Sequence, residues 1–188
     1  MLEWIIIAII VLVVLIIAGI FLYYYNRIIT LSKRIDNAWS QIDVQLKKRA
    51  DLVPNLVETV KGYMRHEKKA IETVTKARER MMGAKSPEEM VKAGDALAGA
   101  LKTIFAIAEN YPNLRASENF KLLQEQLDGI ESKIAYARQL YNDSVLDYNV
   151  IIRTIPGKWV AGRMGMTKER PYFEITEKER AVPKVSFE

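Results

Sequence analysis

The feature that most constrains this chain is an apolar run, residues 4–25, whose twenty-two side chains include no charged group. As an α-helix this run is about 33 Å long, and the hydrocarbon core of a bilayer is roughly 30 Å thick. Lipid offers the backbone no hydrogen-bonding partners, so a lone segment of this length crosses it only as a helix. A buried core helix would need other elements apolar enough to surround it, and none follows. The run therefore predicts a transmembrane anchor.

The ends of the run argue against a signal peptide that is removed. Cleaved signals begin with basic residues and end at a small-x-small site, whereas this chain begins Met1-Leu2-Glu3 and the run ends in Tyr23-Tyr24-Tyr25. Trp4 at one end and the three tyrosines at the other suit the aromatic belts at headgroup level. The run contains a single glycine, Gly19. We expect the segment to be retained as an anchor.

Basic residues predict the orientation of this anchor. No Lys or Arg precedes the run, whereas Arg27, Lys33 and Arg34 follow it closely. Because basic residues near the ends of a span are retained on the cytoplasmic side, we expect a single-pass protein of the cell membrane. Its N-terminus would lie outside and everything after residue 26 in the cytoplasm.

The composition excludes several kinds of site. The chain has no cysteine, so disulfides, thiolate metal sites and cysteine nucleophiles are excluded. Its net charge of +5 is modest, and basic residues alternate with acidic ones, as in Lys76, Arg78 and Glu79. Such alternation is typical of a solvated helix face. We therefore expect no nucleic-acid partner.

Beyond the anchor, apolar residues recur every three or four positions, which predicts long amphipathic helices. The first apolar stripe starts at Ile28 with no Gly or Pro before Pro54, so the anchor helix should continue directly into the cytoplasmic domain. The stripe keeps its phase across Pro54, so we expect a kink there, or a break into two nearly collinear helices. The three stripes cover residues 28–82, 86–111 and 117–155.

The second helix has a clear start and an unusual composition. Ser86 can cap it, with Pro87 at the first position and Glu89 where a capping box places a carboxylate. Its stripe alternates steps of four and three, the heptad pattern of a coiled-coil seam. Small residues flank that seam, so neighbouring helices can approach closely, or copies of the chain can meet there.

After Gly157 the periodicity disappears, and residues 172–176 indicate extended chain or a short strand. The fold class predicted is all-α: a transmembrane helix that continues into an antiparallel bundle of three to four long helices, with an irregular C-terminal tail. The predicted regions are the anchor at residues 1–26, the bundle at 27–156 and the tail at 157–188.

The run from Asn37 to Val57, followed by Val60-Lys61-Gly62-Tyr63, strongly resembles the LemA family. Further matching motifs are Tyr111-Pro112, Asn119-Phe120, Leu123-Gln124, Ala137-Arg138, Tyr141-Asn142, Tyr148-Asn149, Pro171-Tyr172-Phe173 and Pro183-Lys184-Val185. The resemblance covers essentially the whole chain. It implies a bacterial or archaeal single-pass membrane protein with a cytoplasmic antiparallel helical bundle and no assigned enzymatic activity, in a family of which some members are encoded near membrane proteases.

The residues themselves predict no catalytic or cofactor site. His66-Glu67 would need a second histidine at position 70 to form a zinc-protease helix, and that residue is Ala70. A surface or interhelical hydrogen bond is the ordinary role for such a pair. We therefore expect no enzyme activity, no cofactor and no metal.

A polar set beside the stripes suggests an interhelical layer. Arg138 would bind Asp43 or Asp51 through its planar guanidinium, while asparagines bridge the helices and fix their register. Ordinary exposed salt bridges are an equal alternative. The full set is Asp43, Asp51, Asn55, Arg138, Asn142 and Asn149.

Two functions are compatible with these features. The first is a self-associating scaffold or adaptor that presents its bundle to other membrane proteins, proteases among them. The second is a membrane-organising or pore-like assembly in which many anchor helices pack together. The expected partners are therefore membrane lipid, further copies of the chain and other membrane proteins.

Overall fold

The computed structural model describes residues 1–64 and 66–173, and within them every regular element is a helix. The predicted all-α class is confirmed, and these residues contain no strand. Tyr172 and Phe173 are irregular, and the rest of the predicted strand lies outside the described residues. The helices are α1 (Leu2–Lys61), α2 (Lys68–Gly83), α3 (Pro87–Ala108), α4 (Pro112–Ala116), α5 (Glu118–Arg153) and α6 (Gly157–Met164).

The helices form two compact units. The bundle unit consists of Trp39–Ala137, and the anchor unit consists of residues up to Ala38 together with residues from Arg138 onward. The long helices α1 and α5 contribute to both units. The bundle unit also contains α2, α3 and α4, whereas α6 belongs to the anchor unit.

In the bundle unit, α1, α3 and α5 each bury one apolar face, with buried positions three or four residues apart as the sequence predicts. Small residues in α3 do allow close approach: a Cβ on Gly94 would lie 2.8 Å from Leu46 Cδ2 in α1. The largest buried side chains of this unit include Ile42, Leu46, Val53, Leu56 and Val60 of α1, Leu97 and Ile104 of α3, and Ile134 of α5.

The start of α3 matches its predicted cap. The Ser86 Oγ accepts a hydrogen bond from the Glu89 N–H at 3.2 Å. The Glu89 carboxylate in turn accepts from the Lys85 N–H at 2.8 Å, one residue earlier than the partner in a standard capping box. The two side chains thus satisfy donors at the helix start that have no partner within the helix.

The predicted break at Pro54 is wrong, and so is the continuation of the first stripe as one direction up to residue 82; a kink at Pro54 stays a prediction. Helix α1 continues through Pro54, and its last residue is Lys61. Helix α2 then packs back against α1, because Ile71 and Lys61 line one groove and Arg78 reaches Ala50. The apolar stripe continues across this reversal, since α2 buries its own face against the same core.

Pro54 nevertheless has a specific consequence. Proline has no N–H, so the carbonyl of Ala50, four residues earlier, lacks its usual helical donor. The Arg78 Nε of α2 donates to that carbonyl at 3.0 Å. Ala50 is fully buried, so Arg78 supplies a partner that water cannot. The proline therefore creates the acceptor at which α2 is attached to α1.

The anchor unit has its own core, in which α6 takes part. Residues 157–164, predicted to be irregular, form α6, so the irregular tail begins later than expected. A Cβ on Gly157 would collide with the backbone oxygen of Ile151, so α6 begins in close contact with α5. The core contains Ile28, Leu31 and Ile35 of α1, Val145, Tyr148 and Ile152 of α5, and Val160 and Ala161 of α6.

We expect Gly157→Ala to destabilise the chain by about 1–3 kcal/mol, because the new methyl group would press on backbone that cannot turn aside. The matched control is Gly99→Ala in α3, where a Cβ meets nothing within 4 Å. That change should stabilise by about 0.5–1 kcal/mol. Thermal unfolding in detergent, followed by circular dichroism, measures both. Equal stability of the two variants would contradict the close contact.

A double-mutant cycle tests the bond between Arg78 and the Ala50 carbonyl. Arg78→Met should cost about 1–2 kcal/mol in the natural chain, because the buried carbonyl loses its donor. In a Pro54→Ala background, the N–H of the introduced alanine replaces that donor, so the cost should fall by about 1 kcal/mol. Arg80→Met, at an exposed position of the same helix, is the control. A cost of Arg78→Met that is the same in both backgrounds would disprove the coupling.

Candidate functional site

One face of α5 holds the chain that follows α6. Gly165 ends α6 with a φ of +69°, the left-handed region that favours glycine, and the chain then returns along α5. We call residues 166–173 the tail segment. Five residues of α5 contact it, and we call them the docking face: Arg138, Tyr141, Asn142, Tyr148 and Asn149.

Two asparagines of the docking face each bind one residue of the tail segment through both of its backbone groups. Asn149 Nδ2 donates to the Arg170 carbonyl at 3.0 Å, and Asn149 Oδ1 accepts from the Arg170 N–H at 2.9 Å. Asn142 Nδ2 donates to the Phe173 carbonyl at 3.0 Å, and its Oδ1 accepts from the Phe173 N–H at 2.7 Å. Each side-chain amide thus makes the pair of bonds that a neighbouring β-strand would make.

The spacing of the two asparagines matches the spacing of the residues they bind. Asn142 and Asn149 are seven residues apart, a helical rise of about 10.5 Å. Arg170 and Phe173 are three residues apart, about 10 Å in extended chain. Pro171 supports this conformation, because a residue that precedes proline is biased towards extended backbone. One helix face can therefore hold an extended segment at two points without distorting either.

Aromatic and cationic contacts fix the end of the tail segment. The Phe173 ring lies edge-to-face with Tyr141, with 6.4 Å between centroids. The Arg138 guanidinium carbon lies 4.4 Å from the Phe173 ring centroid, within the range of a cation–π interaction. The Tyr141 hydroxyl donates to the Pro171 carbonyl at 3.2 Å. Phe173 is therefore the side chain of the tail segment that the docking face recognises most directly.

Tyr141 remains a hydrogen-bond donor at neutral pH. Burial raises the pKa of its hydroxyl above the usual 10.0; the positive charge of Arg170 opposes this rise, and the carboxylate of Asp36 adds to it. The hydroxyl therefore stays protonated throughout the physiological range and keeps its bond to Pro171.

Comparison with known proteins identifies the family. A model of the LemA family matches residues 38–187, most of the chain. The chain belongs to the LemA family. Protein LemA of Metamycoplasma hominis is 26% identical over 170 residues, which cover 86% of this chain and 76% of that protein.

Other relatives of this LemA-family chain carry a different name. Magnetosome protein MamQ of Magnetospirillum gryphiswaldense is 26% identical over 176 residues, covering 80% of this chain and 65% of that protein. Magnetosome protein MamQ 2 of Paramagnetospirillum magneticum has the same identity, with 64% of its length covered. The chain thus spans slightly less than two thirds of each MamQ protein.

Asn142 and Asn149 of the predicted interhelical layer bind the tail segment rather than another helix. Arg138, Asn142 and Asn149 do lie together on one face of α5, where they contact the tail segment. Asp51 and Asn55 are exposed, and Asp51 lies 3.5 Å from Lys47 one turn away, so these two are not part of a buried layer. Asp43 is half-buried. Pairing of Arg138 with Asp43 stays a prediction.

A buried arginine in the bundle unit was missed. Arg49 is 2% exposed, donates to the Gly94 carbonyl at 3.2 Å and forms an ion pair with Glu131. It therefore connects α1 with α3 and α5. The signal was present in the sequence, because Arg49 follows Leu46 by three residues and so falls inside the apolar stripe.

The predicted anchor residues lie in the first part of α1. This helix contains the one stretch in the described residues long and apolar enough to cross a membrane. Trp4, Tyr23 and Tyr25 are exposed and Tyr24 is half-buried, while a Cβ on Gly19 would meet nothing within 4 Å. The aliphatic side chains of this stretch are therefore exposed, whereas Tyr24 at its end packs against the core of the anchor unit.

The described residues hold no group of three or more His, Asp or Glu side chains that could bind a metal. His66 is exposed, and Glu67 accepts a hydrogen bond from the Tyr111 hydroxyl at 3.3 Å. Burial, followed by the charge of Glu67, raises the pKa of Tyr111, so this hydroxyl also stays a donor. Glu67, directly before α2, thus forms a hydrogen bond with Tyr111, directly before α4.

Replacing either asparagine of the docking face should release its part of the tail segment. Asn149→Ala removes two hydrogen bonds, about 2 kcal/mol together, so the Arg170 amide should exchange with deuterium roughly 30-fold faster. Asn142→Ala should have the same effect at Phe173. Asn119→Ala, at an exposed position of α5, is the control. Unchanged exchange at Arg170 in Asn149→Ala would show that the contact does not hold the segment.

Proposed function

We propose that this LemA-family chain is a non-enzymatic, membrane-anchored scaffold or adaptor. The first part of α1 crosses the cell membrane with its N-terminus outside, and the remaining helices lie in the cytoplasm. Copies associate with one another and present helix surfaces to other membrane proteins, membrane proteases among them. Arg27, Lys33 and Arg34 beside the apolar stretch support this orientation.

The observation that carries the proposal is the way the docking face holds an extended segment. Asn142 and Asn149 bind backbone groups, which every polypeptide has, and only Phe173 is contacted through a cation–π interaction. Recognition through main-chain hydrogen bonds is a recurring means of binding extended peptides. A helix surface that binds main-chain groups in this way is suited to holding another polypeptide rather than to converting a small substrate.

The bundle unit offers a second surface for association. An open groove of about 470 Å³ lies between α1 and α5, and two of its apolar side chains are exposed, Val44 by 46% and Tyr136 by 67%. Exposed aromatic residues are enriched where proteins meet. The scaffold proposal therefore places the contact with a second copy at this groove.

A membrane-organising assembly is the alternative function. The apolar stretch of α1 is exposed in the described part of the chain except at Tyr24, and Gly19 has open space around it. Small residues allow close packing of helices within a bilayer. Several anchors could associate in this way, and relatives that carry the name magnetosome protein favour this alternative.

The particle mass in detergent separates these two functions. We expect the purified chain to be larger than a monomer by light scattering, and the same association to persist after residues 1–26 are deleted. A matched pair, Tyr136→Glu in the groove and Gln126→Glu elsewhere on α5, locates the contact: only the first should lower the mass.

Two outcomes would contradict the scaffold. A monomer with and without residues 1–26 would exclude self-association. A particle whose association disappears on that deletion, while circular dichroism shows the bundle still folded, would favour the membrane-organising assembly. Photo-crosslinking from Tyr136 in native membranes, followed by mass spectrometry, would then identify whichever membrane protein lies against the groove.

A further inference from the structure

We propose that α6 and the turn before it form a second membrane contact, in which Trp159 and Ile155 enter the headgroup region and nearby cations bind anionic phospholipid. The inference rests on the membrane anchor of the proposed function and adds a lipid-binding surface to it. It concerns the anchor unit alone and rests on the position of α6, the exposure of its side chains and the charge of the residues around it.

The position of α6 follows from how α5 runs beside α1. Ile28, Leu31 and Ile35 pack with Val145, Tyr148 and Ile152 in the core of the anchor unit. Helix α5 runs antiparallel to α1, because later residues of α1 meet earlier residues of α5, as in the ion pair of Arg49 with Glu131. The Asp36 carboxylate contributes to the raised pKa of Tyr141, and Tyr141 packs against the same core, so these two residues mark neighbouring positions on α1 and α5. Twelve residues separate Asp36 from Tyr24, and twelve separate Tyr141 from Arg153, equal helical rises of about 18 Å.

The end of α5 therefore lies at the level of Tyr24, where the membrane-length stretch of α1 ends. Tyr24 and Met164 both pack against the core of the anchor unit, which also contains Val160 and Ala161 of α6. After α6 the chain returns along α5 as the tail segment. Between the end of α5 and the tail segment, the turn and α6 are thus the residues nearest the predicted bilayer surface.

The two faces of α6 differ in the way an interfacial helix requires. Gly157, Val160 and Ala161 are buried, and they lie on one side of the helix. Lys158, Trp159 and Arg163 are exposed on the other. Trp159 is 65% exposed and Ile155, in the preceding turn, is 66% exposed. Single exposed apolar residues are ordinary, but here two large ones flank the end of a membrane-length helix.

The charge of this region complements an anionic lipid surface. Residues 151–173 carry five basic side chains and a single acidic one, Glu169, which forms an ion pair with Arg153. Tryptophan concentrates at membrane interfaces, where its ring is buried among headgroups, and long basic side chains reach the phosphates. Eight residues of helix are too short to span a bilayer, so α6 would lie along its surface.

The three tryptophans of the chain provide the test. Three full-length variants each keep one tryptophan and carry phenylalanine at the other two positions, Trp4, Trp39 or Trp159. Each is reconstituted in vesicles of phosphatidylcholine and phosphatidylglycerol, part of the lipid being brominated near the headgroup end of an acyl chain. Circular dichroism verifies that all three are folded.

We expect strong quenching and blue-shifted emission for Trp159 and Trp4, and little quenching for Trp39, which is half-buried in the bundle unit. Quenching of Trp4 without quenching of Trp159 would overturn the inference and leave the anchor intact. Absence of quenching for Trp4 as well would overturn the anchor and the inference together. If Trp39→Phe prevents folding, the same quenching is measured in two chains that keep Trp39, one with Trp4→Phe and one with Trp159→Phe. The chain that carries both changes supplies the Trp39 signal to subtract.

A charge variant tests the anionic component. Lys158→Gln with Arg163→Gln should reduce the extra quenching of Trp159 that phosphatidylglycerol produces over phosphatidylcholine alone. The control, Lys102→Gln with Lys121→Gln, removes two exposed charges from the bundle unit. Equal quenching in the two double variants would show that α6 has no electrostatic contact with lipid.

Discussion

The constraint on which this structure depends is that backbone N–H and C=O groups hidden from water need partners. In the first part of α1 the helix satisfies them internally, which is the condition for a lone segment to cross lipid. At Pro54 the helix cannot do so, and the guanidinium of Arg78 supplies the missing donor to Ala50. The tail segment forms no regular secondary structure, and the side-chain amides of Asn142 and Asn149 supply partners to its backbone groups.

Hydrophobic period predicted the helices well because burial on one face leaves a regular trace in the sequence. The observed limits of α3 and α5 fall within a few residues of the predicted ones. The spacing of apolar residues could not locate the reversal after Lys61. Helix α2 packs on the core that α1 also faces, so its apolar residues continue the three- and four-residue spacing of α1. Whether the chain continues straight or reverses depends on contacts between helices, and the spacing of apolar residues contains no information about those contacts. Helix α6 was missed for a simpler reason, since eight residues provide only two turns of pattern.

The candidate site was visible in the sequence only in part. The pair Tyr-Asn occurs twice, at positions 141 and 148, seven residues apart and therefore on one face of a helix. That repeat indicated where polar contacts would lie, but not what they would bind. An asparagine that binds backbone groups requires no particular residue type as its partner, so the sequence does not indicate what it binds. The carboxylates of α1 were therefore proposed as partners of Arg138. Charged partners can be inferred from composition, whereas main-chain partners become apparent only with the fold.

Helix α6 is attached to α5 at both of its ends. At its start, Gly157 lies against the Ile151 carbonyl, and this contact allows no side chain between α5 and α6. Beyond its end, Gly165 reverses the chain and Asn149 fixes Arg170 only five residues later. Helix α6 is therefore held to α5 from both sides, and its exposed face can change position only if one of these attachments opens. The attachment with fewer buried apolar groups is the tail segment. The docking face is thus connected to α6 through residues 165–170, while Val160 and Ala161 hold α6 in the core of the anchor unit.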